Sequence, residues 1–337
     1  MDKKRMLSGI TSTGKLTLGN YLGALKNFVN LQDEYEMFIF VANLHGITMP
    51  IEKEVLRDNI KKIIALYFAC GLDPEKSNVF LQSDVSEHSE LGGIITCNTT
   101  LGELQRMTQF KDKSQKAKAN NGTDFIPTGI LVYPALMAAD ILLYDADFIP
   151  VGADQKQHVE LTRNIAERMN NKFGEMFKMP EVYTPKVGAR IMDLQDPTSK
   201  MSKSAKSDKG VIFMLDSEQD IRRKIKSAVT DSDNEVRFDA EKKPGISNLM
   251  SIYSAIKNIS LDEIENEFKG NDYGVFKDAV AESVATLLVG IQEKFNSLYN
   301  SEILDSYLAQ GATNAKKVAM KKLTKVKNLT GLNYKRK

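Results

Sequence analysis

Tryptophan is absent from this 337-residue chain, and cysteine and histidine are scarce. The two cysteines, Cys70 and Cys97, sit in apolar runs at no metal-type spacing, so they predict buried free thiols in a reducing compartment, not a disulfide framework. The three histidines, His45, His88 and His158, are too dispersed for a His-rich metal cage. A long uncharged apolar run is also missing. The longest apolar stretch, 129–152, carries Asp140, Asp145 and Asp147, which excludes a membrane span. Basic residues near the start are followed by Ser8-Gly9, where a secretory signal needs an apolar core. A cytoplasmic protein is therefore expected. Charge of one sign is lacking as well: 46 Lys+Arg against 44 Asp+Glu leave a formal net charge of +2, so a polyanionic partner would have to be met by a local patch. The remaining composition, 42% hydrophobic and 27% charged, is that of a globular protein, and the length suits two domains or one domain with an appendage.

What is present is organised around residues 7–30. Leu7 to Ile10 reads as a strand, Thr11-Ser12-Thr13-Gly14 as a turn, and the following residues as a helix with Leu18, Leu22, Leu25 and Val29 at three- and four-residue steps. A helix start beside a polar turn offers backbone N–H groups and a positive dipole end to phosphates. The spacing fits neither Gly-x-x-x-x-Gly-Lys-[Ser/Thr] nor Gly-x-Gly-x-x-Gly, so a plain strand-to-helix turn is the simpler reading of these residues alone. Met37 to Val41 and Asn78 to Gln82 read as strands flanking a helix from Glu52 to Ala69, which implies a parallel crossover. Leu91 to Phe110 reads as one helix. Residues 114–127, rich in Lys, Asn, Gly and Ala without apolar periodicity, read as a mobile surface loop that could act as a lid.

Two further segments carry chemistry. Tyr133 to Tyr144 is an apolar helix interrupted by Asp140, whose carboxylate is costly to bury unless donors meet it; a buried ion pair and a ligand-binding role are equally open. Gly152 to His158 is a second polar turn feeding a helix at the same sheet edge. The pentapeptide Lys200-Met201-Ser202-Lys203-Ser204 places two lysines around small hydroxyl residues, suited to a polyphosphate.

Thr17-Leu18-Gly19-Asn20 resembles a variant of the His-Ile-Gly-His signature of class I aminoacyl-tRNA synthetases, and Lys200 to Ser204 is similar to their second signature without change. Within that class the chain resembles bacterial tryptophanyl-tRNA synthetases along nearly its whole length. The segments concerned are Gly19 to Ala24, Gly102 to Lys113, Met137 to Tyr144, Gly152 to Glu167, Pro185 to Met192 and Lys226 to Leu249. The resemblance implies an α/β fold: a Rossmann-like parallel-sheet catalytic domain over residues 1–206 and an all-helical anticodon-binding domain over 207–337. It also implies ATP-dependent charging of tRNA(Trp) with L-tryptophan through an adenylate, and a homodimer.

It further implies roles for particular residues. Thr17, Gly19 and Asn20 would hold adenosine and phosphates, with Thr11, Ser12, Thr13, Gly152, Asp154, Gln155, Ile191, Met201, Ser202 and Ser204 around the nucleotide. Lys113, Lys200 and Lys203 would take the pyrophosphate charge, and Mg²⁺ would be held mainly by the ATP phosphates. Asp140 would accept the indole N–H, Leu7, Gly9, Met137, Ile149 and Val151 would line the ring pocket, and Tyr133 and Gln155 would meet the α-amino group with His45 nearby. Departures from the family pattern fall at Leu7, Thr11, Asn43 and Ala153. The alternatives are a tyrosyl-type adenylate-forming enzyme and a non-catalytic paralogue that binds amino acid or RNA. Intact Lys200 and Lys203 argue against the latter, which has no pyrophosphate to stabilise.

After Ala205 the pattern turns helical, with a capping box at Ser260-x-x-Glu263 and a long helix from Gly274 to Tyr299. From Gly311 to Lys337 there are nine basic residues and no acidic one. Ala315, Val318, Ala319, Leu323 and Val326 form a stripe that would turn those charges outward, either as a solvated face or toward tRNA phosphates.

Overall fold

The computed structural model describes residues 3–121, 126–152, 155–183, 190–202 and 207–334. Five parallel strands, β1 (Arg5–Thr11), β2 (Glu36–Ala42), β3 (Ser77–Leu81), β4 (Phe148–Pro150) and β5 (Glu181–Tyr183), form one sheet in the order β3-β2-β1-β4-β5. β1 and β2 run in register from Arg5 opposite Glu36 to Thr11 opposite Ala42. β2 is apolar at almost every position because both sheet faces are covered: Met37, Ile39 and Val41 enter one core, and Phe38, Phe40 and Ala42 the other.

Helices supply the cover. β1 is followed by α1 (Leu18–Asn20), a π-helical turn (Tyr21–Leu25) and α2 (Lys26–Leu31), and β2 by α3 (Asn43–Gly46) and α4 (Lys53–Ala69). Between β3 and β4 lie α5 (Glu87–Thr96), α6 (Leu101–Arg106), α7 (Thr108–Asn121) and α8 (Thr128–Leu142); α9 (Lys156–Phe173) joins β4 to β5. The rest is helical: α10 (Glu218–Lys226), α11 (Pro244–Lys257), α12 (Leu261–Glu267), α13 (Tyr273–Tyr299) and α14 (Ile303–Leu329). Among the described residues no helix is long and apolar enough to cross a membrane. The chain winds outward from β1 to β3 and then returns to β4 on the other side of β1. The carboxyl ends of β1 and β4, where Thr11 and Val151 stand, therefore flank a topological switch point, the place where parallel sheets bind ligands.

The structure departs from the sequence expectations in four places. The single helix expected from Leu91 to Phe110 is broken twice: the Thr100 hydroxyl caps a new helix in a reciprocal box with Glu103, and Met107 is extended. The loop expected over 114–127 is helical as far as Asn121. Lys, Gln and Ala are strong helix formers, and among the described side chains the buried stripe is Ser114 and Ala117, too narrow to register as periodicity. Cys97 is exposed, not buried, and only Cys70 is partly covered; burial pushes the Cys70 thiol up to about 12.

The fourth concerns α14, which runs back over β3 and covers the sheet edge. A Cβ on Gly311 would stand 2.0 Å from the Val79 carbonyl oxygen, so only glycine permits this approach. Ala315, Ala319, Leu323 and Val326 are buried in the same core as Leu7 and Ala139. Lys316, Lys317, Lys321 and Lys325 are exposed as expected, but Lys322 is not. It shares the buried stripe at the spacing 315, 319, 322, 326, and its Nζ donates to the Met176 carbonyl at 2.7 Å and pairs with Asp145 at 2.5 Å. Burial draws its pKa below the usual lysine value.

Candidate active site

Asp140 is 1% exposed, on α8 between Ala139 and Ile141. Its carboxylate is met from three directions. Oδ1 accepts from Gln82 Nε2 at 2.8 Å and from His88 Nδ1 at 2.6 Å, and Oδ2 from His45 Nε2 at 2.8 Å. Burial pushes this carboxyl upward, but hydrogen bonds from His45 and His88 and their charges outweigh it and hold the group well below the usual carboxylate range. His88 Nε2 in turn meets the Tyr144 hydroxyl at 2.8 Å. The Tyr144 phenol is raised well above its ordinary value, by burial first and then by the charges of Asp140 and Glu87, so it remains an O–H donor. Gln82 is oriented by the Leu44 N–H, which donates to its Oε1 at 3.1 Å. A carboxylate offers about four lone-pair sites. Protein donors use three, two on Oδ1 and one on Oδ2, and a single incoming N–H can satisfy the last.

The residues expected to line the ring pocket are apolar. Leu7 and Ile149 are buried in the same core, and Met137 and Val151 pack against it half-buried. Gly9 lies one alternation beyond Leu7 on β1, and a Cβ there would stand 2.8 Å from the Phe40 ring, so the glycine makes room for that ring. Two turns earlier on α8, Tyr133 stands edge-on to His45 at 6.1 Å between centroids and its hydroxyl meets Gln109 at 3.1 Å and His158 at 2.8 Å. The Lys113 ammonium rests over the Tyr133 ring, 4.2 Å from its centroid, and burial lowers the Lys113 pKa. Lys113 and His45 are thus brought to Tyr133 and Asp140 on α8.

The helix start at Leu18 is built by a capping box: Thr17 Oγ1 accepts from the Asn20 N–H at 3.2 Å and Asn20 Oδ1 accepts from the Thr17 N–H at 3.0 Å. These two side chains, expected at the nucleotide, are thereby fixed in place, with Asn20 Nδ2 as the remaining donor. A Cβ on Gly19 would lie 3.6 Å from Met201 Cβ and 3.7 Å from Ile191 Cβ, so the two signature segments touch. The join is reinforced from the far side, where Leu18 donates to the Ile212 carbonyl at 2.8 Å and Met214 to that of Leu16 at 2.9 Å.

Thr11 is exposed and Thr13 half-buried at the carboxyl end of β1, and Thr13 donates to the Thr11 hydroxyl at 3.3 Å. Ser12 is 0% exposed, and a Cβ on Gly46 would stand 2.3 Å from its Oγ. The Ser12 Oγ is buried without a hydrogen-bond partner among the described residues, and neither side chain nor backbone of Ser12 is open to solvent here. Gly152 and Gln155 form the turn after β4, the Gln155 N–H donating to the Gly152 carbonyl at 3.0 Å. Lys200 is exposed at the site rim, Met201 is buried and Ser202 is half-buried. Asp154, Lys203 and Ser204 lie outside the described residues. Sequence reasoning missed Gln82, His88 and Tyr144. Gln82 ends an apolar strand and Tyr144 an apolar helix, whereas His88 lies in the polar stretch Ser86-Glu87-His88-Ser89-Glu90 and gives no signal.

Residues 2–289 match the family of tRNA synthetases class I (W and Y). A tryptophan–tRNA ligase from Malacoplasma penetrans is 53% identical over 330 residues, with 98% of each chain covered. The crystal structure of tryptophanyl-tRNA synthetase from Mycoplasma pneumoniae is 42% identical, with a TM-score of 0.92 over 98% of each chain. That of the Campylobacter jejuni enzyme, complexed with ADP and tryptophan, is 36% identical, with a TM-score of 0.80 over 97% of this chain and 99% of the other.

Proposed function

The chain belongs to the class I tRNA synthetases for tryptophan and tyrosine, and we propose from that premise how its residues divide the work of a tryptophan–tRNA ligase. The reaction has two steps. The tryptophan carboxylate attacks the α-phosphorus of ATP, the bond to the bridging oxygen breaks, and pyrophosphate leaves. The terminal ribose hydroxyl of tRNA then takes the acyl group and AMP departs. Neither step needs a protein nucleophile, so the chain acts by positioning and by charge.

The observation that carries the substrate choice is Asp140, a dry carboxylate among apolar side chains with one lone-pair site to spare. An indole N–H completes it, whereas a phenyl ring would leave it underbonded; a phenol brings its own O–H donor, so its exclusion rests on the shape of the apolar walls. Leu7, Gly9, Met137, Ile149 and Val151 enclose the ring, and Tyr133 and Gln155, with His45 and Asp154 nearby, face the α-amino end. Adenosine and its phosphates lie along Thr11 to Thr13, Thr17, Gly19, Asn20, Gly152 and Ile191. Lys113, Lys200 and Lys203 draw charge from the departing pyrophosphate, with Met201, Ser202 and Ser204 shaping the loop. The carboxylates nearest Lys200 do not fit a protein-held metal. Asp193 accepts the backbone N–H groups of Gln195 and Asp196, and Asp196 those of Thr198 and the Thr198 and Ser199 hydroxyls. Mg²⁺ belongs with the nucleotide's phosphates. Tryptophan-dependent ATP–pyrophosphate exchange tests the assignment: kcat/KM for tryptophan should exceed that for tyrosine by at least about a thousandfold. Comparable rates would transfer the chain to the tyrosyl branch.

The proposal extends to tRNA, to a cytoplasmic setting and to a second copy of the chain. The helical region from 207 onward would take the anticodon, with the exposed lysines of α14 meeting phosphates. Lys321→Glu combined with Lys325→Glu should weaken tRNA binding about tenfold at low salt, the difference shrinking as salt rises. Unchanged affinity at low salt removes α14 from the tRNA surface.

A further inference from the structure

Lys200 is held by the smallest antiparallel pairing a chain can make. Met201 donates to the Ile191 carbonyl at 3.0 Å, Asp193 donates to that of Ser199 at 2.8 Å, and Met192 stands opposite Lys200 between them. At such a position the N–H and C=O of Met192 point away from Lys200 and need partners elsewhere. One side chain supplies both. Asn248 Oδ1 accepts from the Met192 N–H at 2.8 Å, and Asn248 Nδ2 donates to the Met192 carbonyl at 2.9 Å. Asn248 is 4% exposed and stands on α11, 56 residues further along the chain. Its amide takes the place of a third strand. Of the uncharged side chains as short as this one, only an amide presents a donor and an acceptor side by side in that way.

On the inner side of this ladder lies the reaction site, since Ile191 and Met201 are the residues that abut Gly19. The Lys200 ammonium itself has no side-chain partner among the described residues, so its location is set by its backbone. We infer that Asn248 is a positioning residue for adenylate formation: it fixes Met192, and through the Met192–Lys200 pairing it fixes the lysine that meets the leaving pyrophosphate. The inference rests on that role for Lys200.

A double-mutant cycle in the ATP–pyrophosphate exchange assay tests it and keeps the two ideas apart. Asn248→Ala should lower kcat about tenfold with KM for tryptophan unchanged, kcat being taken per active site counted by the adenylate burst so that loss of folded protein is not mistaken for a slower step. If Asn248 acts through Lys200, adding Asn248→Ala to Lys200→Ala costs nothing further. Losses that multiply, or a native kcat in Asn248→Ala, overturn the inference while leaving Lys200 in place. A native kcat in Lys200→Ala instead overturns the underlying role, and the inference with it. Asn248→Asp provides a second variant should the alanine one fail to fold. Only the protonated acid has the amide's paired donor and acceptor, so its kcat relative to the parent's should rise between about pH 8 and about pH 6. A flat ratio at the parent's level counts against the inference.

Discussion

Asp140→Ala should lose about a hundredfold in kcat/KM for tryptophan while KM for ATP stays within about threefold. The reason is asymmetric bonding. In the parent, three protein donors converge on the carboxylate, and in the proposed complex the substrate N–H would be the fourth. Without it, His45, His88 and Gln82 lose their common acceptor and the indole nitrogen enters an apolar wall unpaired. Selectivity over phenylalanine should fall in step, because the penalty that a phenyl ring suffers in the parent is the same unpaired carboxylate. The thermal midpoint should drop as well, since two of those donors come from buried His88 and Gln82. Equal losses toward tryptophan and ATP would make Asp140 a fold-supporting residue only. The sign of its pH dependence follows from its depressed pKa: the stabilisation is present above the ordinary carboxylate range and fades only as pH falls toward the lowered value. Protonation of Asp140 should therefore cause no loss of tryptophan affinity in mildly acidic buffer.

Lys200→Ala should lower the single-turnover rate of adenylate formation by about 10²- to 10³-fold with tryptophan affinity unchanged. Charge on the β,γ-diphosphate grows only as the bond to the α-phosphorus breaks, so an ammonium aimed there acts on the transition state more than on bound ATP. Lys200 is exposed and next to Met201, whose Cβ lies beside Gly19 at the helix start, which is the placement the proposed role requires. Lys200→Arg should recover only part of the rate, because a planar fork replaces a compact point charge. A raised KM for ATP with an unchanged rate constant would mean that Lys200 binds ground and transition states alike.

How much of this the sequence carries depends on the range of each interaction. β2 and β3 were legible because an apolar run between polar turns has few other uses, and their parallel pairing followed from the helix between them. Asp140 stood out because a charge inside an apolar helix needs a reason. Its donors did not: Gln82 and His88 are 58 and 52 residues away, and nothing local to either announces that α5 packs against α8. Lys322 misled for a related reason. Its neighbours in the sequence are surface lysines, and only the approach of α14 to β3 and the Asp145 turn makes it a buried partner. The helix over 108–121 was illegible because, among the described side chains, its buried face is a serine and an alanine. The ladder that holds Lys200 was equally hidden, because an asparagine standing in for a strand leaves no pattern in either segment.

The most direct measurement of the central claim uses an isostere of tryptophan, 3-benzothienylalanine, in which sulfur replaces the indole N–H. The account predicts that the parent binds tryptophan about a hundredfold more tightly than this analogue, and that Asp140→Ala binds the two with nearly equal affinity. Equal affinities in the parent would contradict it.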